Sequence, residues 1–115
     1  MKTYSKAIRR RVSEPFRMKY ALSNQERRAL VKELNVNCLV LFEYYLRLAS
    51  MENADFSDAL AAEYFSWQEP TAQRWRLALV KAGWVHFEKA TMSSGNKMQM
   101  VYLGKAEVKE ALGEL

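Results

Sequence analysis

Between Pro70 and Phe87 the chain reads Pro-Thr-Ala-Gln-Arg-Trp-Arg-Leu-Ala-Leu-Val-Lys-Ala-Gly-Trp-Val-His-Phe, and no other stretch restricts the fold as strongly. Proline suits the first helical position, where its missing N–H would be unpaired anyway, and Gly83 suits the left-handed residue after a last turn. The spacing predicts a helix over 70–82. On a wheel of about 100° per residue, Ala72, Trp75, Leu79 and Ala82 make an inward stripe, while Pro70, Gln73, Arg74, Leu77 and Lys81 point away. Upstream, Ser57 or Asp58 can cap a short helix through about Phe65 with Leu60, Ala61 and Phe65 inward, and Ser66 to Glu69 form the turn.

Two short helices joined by a tight turn make a helix-turn-helix. After Gly83, Val85 and Phe87 alternate with His86 and Glu88, Ser93-Ser94-Gly95-Asn96 supplies turn chemistry, and Met98 to Leu103 alternates again. This is the pattern of a two-stranded hairpin with its tip near Gly95 and Lys97. The expected class is mostly α with a small β-hairpin. The chain resembles the winged helix-turn-helix superfamily, most closely a MarR-type pattern: Thr71-Ala72-Gln73-Arg74 opens the recognition helix, Leu79-Val-Lys-Ala-Gly83-Trp-Val leads into the wing, and Val101-Tyr-Leu103 leads into a last helix. It is also similar to the helix-turn-helix modules of phage and plasmid replication initiators. The likeness spans roughly residues 38–112. MarR-type wings usually carry an acid and an arginine at the tip, whereas this one has Ser93-Ser94-Gly95-Asn96-Lys97, so helix contacts are expected more firmly than wing contacts. The resemblance implies a winged helix-turn-helix with extra N- and C-terminal helices, sequence-specific binding of double-stranded DNA and a homodimer. Transcription regulation is the expected process, with a protein-interaction module or a replication-associated DNA-binding protein as alternatives.

The 115 residues, half of them hydrophobic, fit one compact core. No apolar run approaches the roughly 18 residues of a membrane span, and the basic start has no apolar segment behind it like that of a signal peptide. A cytoplasmic protein without membrane partners is expected. The single cysteine, Cys38, has no partner for an internal disulfide and reads as a buried structural thiol.

Charge divides the chain unevenly. Residues 1–23 hold seven Lys or Arg and one acid, Glu14, whereas the other 92 hold eleven basic and twelve acidic groups, against a net charge of +5. The division expected is a basic arm, 1–22, ahead of a domain, 23–115. Arg9, Arg10 and Arg11 can follow phosphates or lie in a minor groove, and the bland alternative is a solvated tail. Alternation of Val12, Phe16, Met18, Tyr20 and Leu22 with polar neighbours also allows an extended strand there, confined to an edge by Pro15.

Two further segments frame the motif. Ser23 and Glu26 have capping-box spacing for a helix from about Asn24 to Leu34, with a break at 35–37. From Cys38 to Ala49 two apolar stripes appear, Leu39-Phe42-Leu46-Ala49 and Cys38-Leu41-Tyr45-Leu48, interrupted by Glu43 and Arg47, four apart and able to pair. Such a helix is either central or shared with a second subunit. Val108, Ala111, Leu112 and Leu115 make a short amphipathic C-terminal helix, which either packs on a two-fold mate, as the resemblance implies, or closes the chain's own core.

The wheel nominates the DNA-reading residues. Arg74 and Gln73 project from the first turns, and arginine with guanine or glutamine with adenine form bidentate pairs. Gln68 and Thr71 at the helix start, Lys81 near its far end and Lys97 at the wing are expected on the backbone. Arg76 lies on the shoulder of the buried stripe, where a structural salt bridge and a DNA contact both fit. Trp75 reads as core, and exposed Leu77 as either a thymine-methyl contact or a tolerated surface leucine. Trp67 and Trp84 are expected on the surface, as a protein partner would need. His86 has no second ligand at metal-binding spacing, and neither a Walker loop nor a dinucleotide fingerprint occurs. A non-enzymatic chain without a cofactor is expected.

Overall fold

The computed structural model describes residues 22–51, 55–91 and 97–113. Helix α1 (Asn24–Glu33) opens on the expected capping box: the Glu26 N–H donates to Ser23 Oγ at 3.2 Å and the Ser23 N–H to Glu26 Oε1 at 2.9 Å. The box satisfies two donors at the helix start. Leu30 is fully buried, and Leu22, the residue before the cap, also packs into the core.

Helix α2 (Val36–Ala49) starts earlier than its sequence implied. Asn35 is a cap, not part of a break, because its Oδ1 accepts the Cys38 N–H at 2.7 Å. Asparagine disrupts a helix interior and starts a helix equally well, so the sequence alone did not assign its role. Cys38, Leu41, Phe42, Tyr44, Tyr45, Leu46 and Ala49 are buried and Leu39 and Leu48 partly so, which makes α2 the central element. Glu43 and Arg47 do not pair along the helix. Glu43 accepts from Arg27 Nε of α1 at 2.7 Å, and Arg47 Nη2 donates to Tyr64 Oη at 3.2 Å; partners from neighbouring helices win both side chains.

Helix α3 (Asp58–Phe65) is capped by Ser57, whose Oγ accepts the Leu60 N–H at 3.2 Å. Its inward residues are Ala61 and Ala62, whereas Leu60, expected inside, is 43% exposed. Two alanines let α3 lie close against helix α4 (Glu69–Lys81), and that close approach rotates Leu60 out. In α4, Ala72 and Leu79 are fully buried, Trp75 and Ala82 half-buried, and Pro70 follows Glu69 in the first turn.

Helices α3 and α4 end in the same closure. After α4, Gly83 adopts φ +83°, its N–H donates to Val80 O at 3.1 Å and the Trp84 N–H donates to Leu79 O at 2.9 Å. After α3, Ser66 adopts φ 59°, its N–H reaches Glu63 O at 3.4 Å and the Trp67 N–H donates to Ala62 O at 2.8 Å. Each is a Schellman closure, in which a left-handed residue lets two N–H groups satisfy the last carbonyls. Trp84 is 7% exposed, against the expectation of a surface tryptophan, because this closure turns it back onto Phe42 (ring centroids 5.7 Å apart) while its Nε1–H donates to Glu33 Oε1 at 2.9 Å.

Strands β1 (Val85–Thr91) and β2 (Lys97–Leu103) pair antiparallel, from Val85 opposite Leu103 to Thr91 opposite Lys97. Val85, Val101 and Leu103 enter the core. Gly104, at φ 109°, donates its N–H to Trp84 O at 2.8 Å and starts helix α5 (Lys105–Ala111), whose Val108 is buried against the base of the hairpin. α5 therefore packs on its own hairpin, leaving Leu112 half-exposed. Among the described residues the architecture is five helices and one small antiparallel hairpin, winged-helix-like in general form.

Candidate nucleic-acid interface

The interface is set by which residues α4 keeps for the interior. Its Arg76 is held by Asp58 in a bidentate pair, Nε to Oδ1 at 2.8 Å and Nη2 to Oδ2 at 2.9 Å, with both side chains largely covered. Asp58 is the first residue of α3, so the fork fastens the start of one helix to the middle of the next. Planar guanidinium and carboxylate fit only in a narrow range of orientations, and the pair thereby sets how α4 stands relative to α3. The hydrogen bonds to Asp58 hold the guanidinium still more firmly protonated than usual. Of the two roles open to Arg76, the structure takes the structural one.

Trp75 packs against the core, as its stripe requires, and its main-chain carbonyl accepts from the Cys38 thiol at 3.8 Å. Its Nε1–H is buried with no hydrogen-bond partner among the described residues.

The opposite face of α4 is free. Gln73, Arg74, Leu77 and Lys81 are exposed and run along one side of the helix, with Leu77 49% exposed. Among the described residues Arg74 has no acidic partner; its guanidinium carbon lies 5.7 Å from the centroid of the Trp75 ring, a contact that directs the side chain without consuming its hydrogen-bond donors. Gln68, the N-cap of α4, is exposed and makes no capping bond with its side chain, and Thr71 is half-buried in the first turn. Glu69 shares that turn, so the helix start is of mixed charge.

The structure thus gathers Gln68, Thr71, Gln73, Arg74 and Lys81 on one helix. Lys97 begins β2, opposite Thr91 at the far end of the hairpin from its base pair of Val85 and Leu103. The arginines Arg9, Arg10 and Arg11, the strand-like alternation from Val12 to Tyr20, the turn Ser93-Ser94-Gly95-Asn96 and Leu115 lie outside the described residues.

Two groups of side chains escaped the sequence reading. Tyr44, Tyr64, Phe65 and Trp67 form an aromatic cluster beside the turn of the motif: Tyr44 and Tyr64 lie 4.7 Å apart, Phe65 and Trp67 stack at 4.5 Å, and Tyr64 is 58% exposed. The near-contiguous aromatics of Tyr64-Phe65-Ser66-Trp67 were its visible trace. Lys105 and Lys109 of α5 come next to Lys81; their spacing of four residues placed them on one face, but no sequence signal tied that face to α4.

Among the described residues no three His, Cys, Asp or Glu side chains stand together in a way that could hold a metal ion, and no helix is long and apolar enough to cross a membrane. No family model matches the chain, and neither a curated protein nor a solved structure matches it.

Proposed function

We propose that this chain binds double-stranded DNA sequence-specifically, reading the major groove with the exposed stripe of α4, and that it regulates transcription without being an enzyme. The observation that carries the reading is the division within α4: Arg76 is fixed to Asp58, while Gln73, Arg74 and Lys81, on the other side, are exposed and have no ion pair among the described residues. A helix braced from behind and free in front offers bidentate donors to base edges at little ordering cost. Gln68, Thr71, Lys81 and Lys97 would contact the backbone, and Arg9, Arg10 and Arg11 would add affinity that is sensitive to salt but not to sequence. Exposed Leu112 at the end of α5 supports pairing of two copies on a two-fold site.

The test is fluorescence anisotropy against a random-sequence duplex pool at low and near-physiological salt, with the bound fraction sequenced. Salt-sensitive binding, an enriched motif and a palindromic arrangement of half-sites are expected. Binding without enrichment would remove the sequence-reading role, and no binding at low salt would reject the proposal. A second reading has its own support: Tyr64 is 58% exposed beside the half-buried Phe65–Trp67 stack, an aromatic patch of the kind that protein partners use. Retained capture of a protein partner after loss of Arg74, and its disappearance after Tyr64→Ala, would favour that reading.

A further inference from the structure

Where the last turn of α4, the start of β1 and the face of α5 meet, a half-open notch of about 310 Å³ has an apolar floor that includes Val85 and Val108. Lys81, Lys105, Lys109 and His86 stand around it, and among the described residues no Asp or Glu lines it. Two acids lie just outside. Glu33 holds Lys105 at 3.0 Å, and Glu88 approaches His86 at 3.7 Å. Lys81 and Lys109 carry no ion pair among the described residues. The carbonyls at the end of α4 would oppose an anion here, but those of Leu79 and Val80 are already occupied by the N–H groups of Trp84 and Gly83. Glu33 offsets Lys105, whereas Lys81 of α4 and Lys109 of α5 face the concave space without an ion pair among the described residues, which leaves an excess of positive charge at that point.

Lys81 also belongs to the exposed stripe of α4. It is eight residues beyond Gln73 and four beyond Leu77, on the same side of the helix. The notch is therefore continuous with the reading face, at the end where a duplex backbone would pass out of the groove.

We propose that this notch is a phosphate-binding site, with Lys81 and Lys109 as its principal cations, and that its occupant is a backbone phosphate flanking the bases that α4 reads. The assignment of the occupant rests on the DNA reading; the site itself does not. A tetrahedral dianion or monoanion is small enough for the notch and takes donors from several directions, as separated lysines supply them. Lys105, partly engaged by Glu33, would contribute secondarily.

The site is tested by titrating inorganic phosphate into the full chain while following the His86 ring by NMR. A saturable shift is expected in the wild type and its loss in Lys81→Ala/Lys109→Ala, two exposed positions at which an unchanged circular-dichroism spectrum is expected. With duplex DNA, the same double variant should reduce the slope of log affinity against log salt by about 1, as for one phosphate, and leave the enriched motif unchanged. Absence of a phosphate-dependent shift, or the same shift in the double variant, would overturn the site. An unchanged salt slope in a protein that still selects a motif would overturn the assignment to DNA backbone while sparing the reading by α4. Phosphate binding in a protein that binds no duplex would keep the site, as one for a free phosphorylated small molecule, and reject the DNA reading.

Discussion

Arg74 and Arg76 leave the same helix two residues apart, and the fold treats them in opposite ways. Arg76 lies over α3 and forks onto Asp58, so its charge is neutralised and its position fixed. Arg74 lies outside the buried stripe, rests near the Trp75 ring and has no acidic partner among the described residues. The lesson is that the helix carries two kinds of arginine, one that orients it and one that it presents. Charge alone does not distinguish them; the presence of a carboxylate 18 positions earlier in the chain does.

The sharpest way to break this contrast is to remove the orienting arginine. Arg76→Ala strands the Asp58 carboxylate under partial cover and is expected to cost about 3 kcal/mol of stability, read from the urea midpoint, with DNA selectivity preserved in whatever fraction remains folded. Asp58→Ala should cost a similar amount, and the double variant less than the sum of the two. A loss well below about 1 kcal/mol would show that the fork is dispensable.

Arg74→Ala should do the converse. Stability is expected to stay within about 0.5 kcal/mol, while discrimination at one base pair of the selected motif falls by about 2 kcal/mol, roughly thirtyfold. Retained discrimination in the same binding assay would move readout to another residue.

The two helix closures sharpen the comparison from the backbone side. Gly83→Ala adds a Cβ with no atom within 4 Å of it, so only the cost of a left-handed alanine remains, about 1 kcal/mol by thermal or chemical unfolding. Ser66→Gly should stabilise the chain by less than that, because glycine's added freedom in the unfolded chain offsets part of the relief at φ 59°. A larger loss at Gly83 would mean that moving Trp84 had disturbed the core as well.

The smallest expected effect is in acid. The hydrogen bond from Trp84, followed by that from Lys105, lowers the Glu33 carboxyl below the usual carboxylate value of 4.5. A group depressed on folding stabilises the fold above its unfolded value and loses that contribution as pH falls through the folded one. Trp84 fluorescence should therefore change below about pH 4.5, and Glu33→Gln should remove most of the pH dependence of that change. Persistence of the full transition in Glu33→Gln would assign it to other carboxylates.

Much of the fold was legible because its signals are local. Ser23 with Glu26, Ser57, Pro70 with Gly83, and the alternation on either side of the wing each state a cap, a turn or a strand within a few residues. Asn35 was misread because one side chain serves two opposite local roles. The inward and outward sides of α4 were equally readable from its wheel, including Ala72 and Leu79 inside and Gln73, Arg74, Leu77 and Lys81 outside. What the wheel lacks is the identity of partners across the chain. It gave Arg76 a shoulder but not Asp58, it paired Glu43 with Arg47 when Arg27 was nearer, and it left Trp84 outside because a tryptophan after a helix gives no sign of folding back. The convergence of Lys81 with Lys105 and Lys109 was hidden for the same reason, since it depends on how α5 returns along the hairpin.

The thiol of Cys38 turns the junction of α2 and α4 into a clock. It is fully buried, directed at the Trp75 carbonyl, and raised by burial to about 11, so in the closed chain it is both unreachable and a poor nucleophile. Labelling at neutral pH is then expected only when the packing around Cys38, including the α2–α4 junction, opens. The rate at which a thiol reagent consumes this chain measures how often that packing opens.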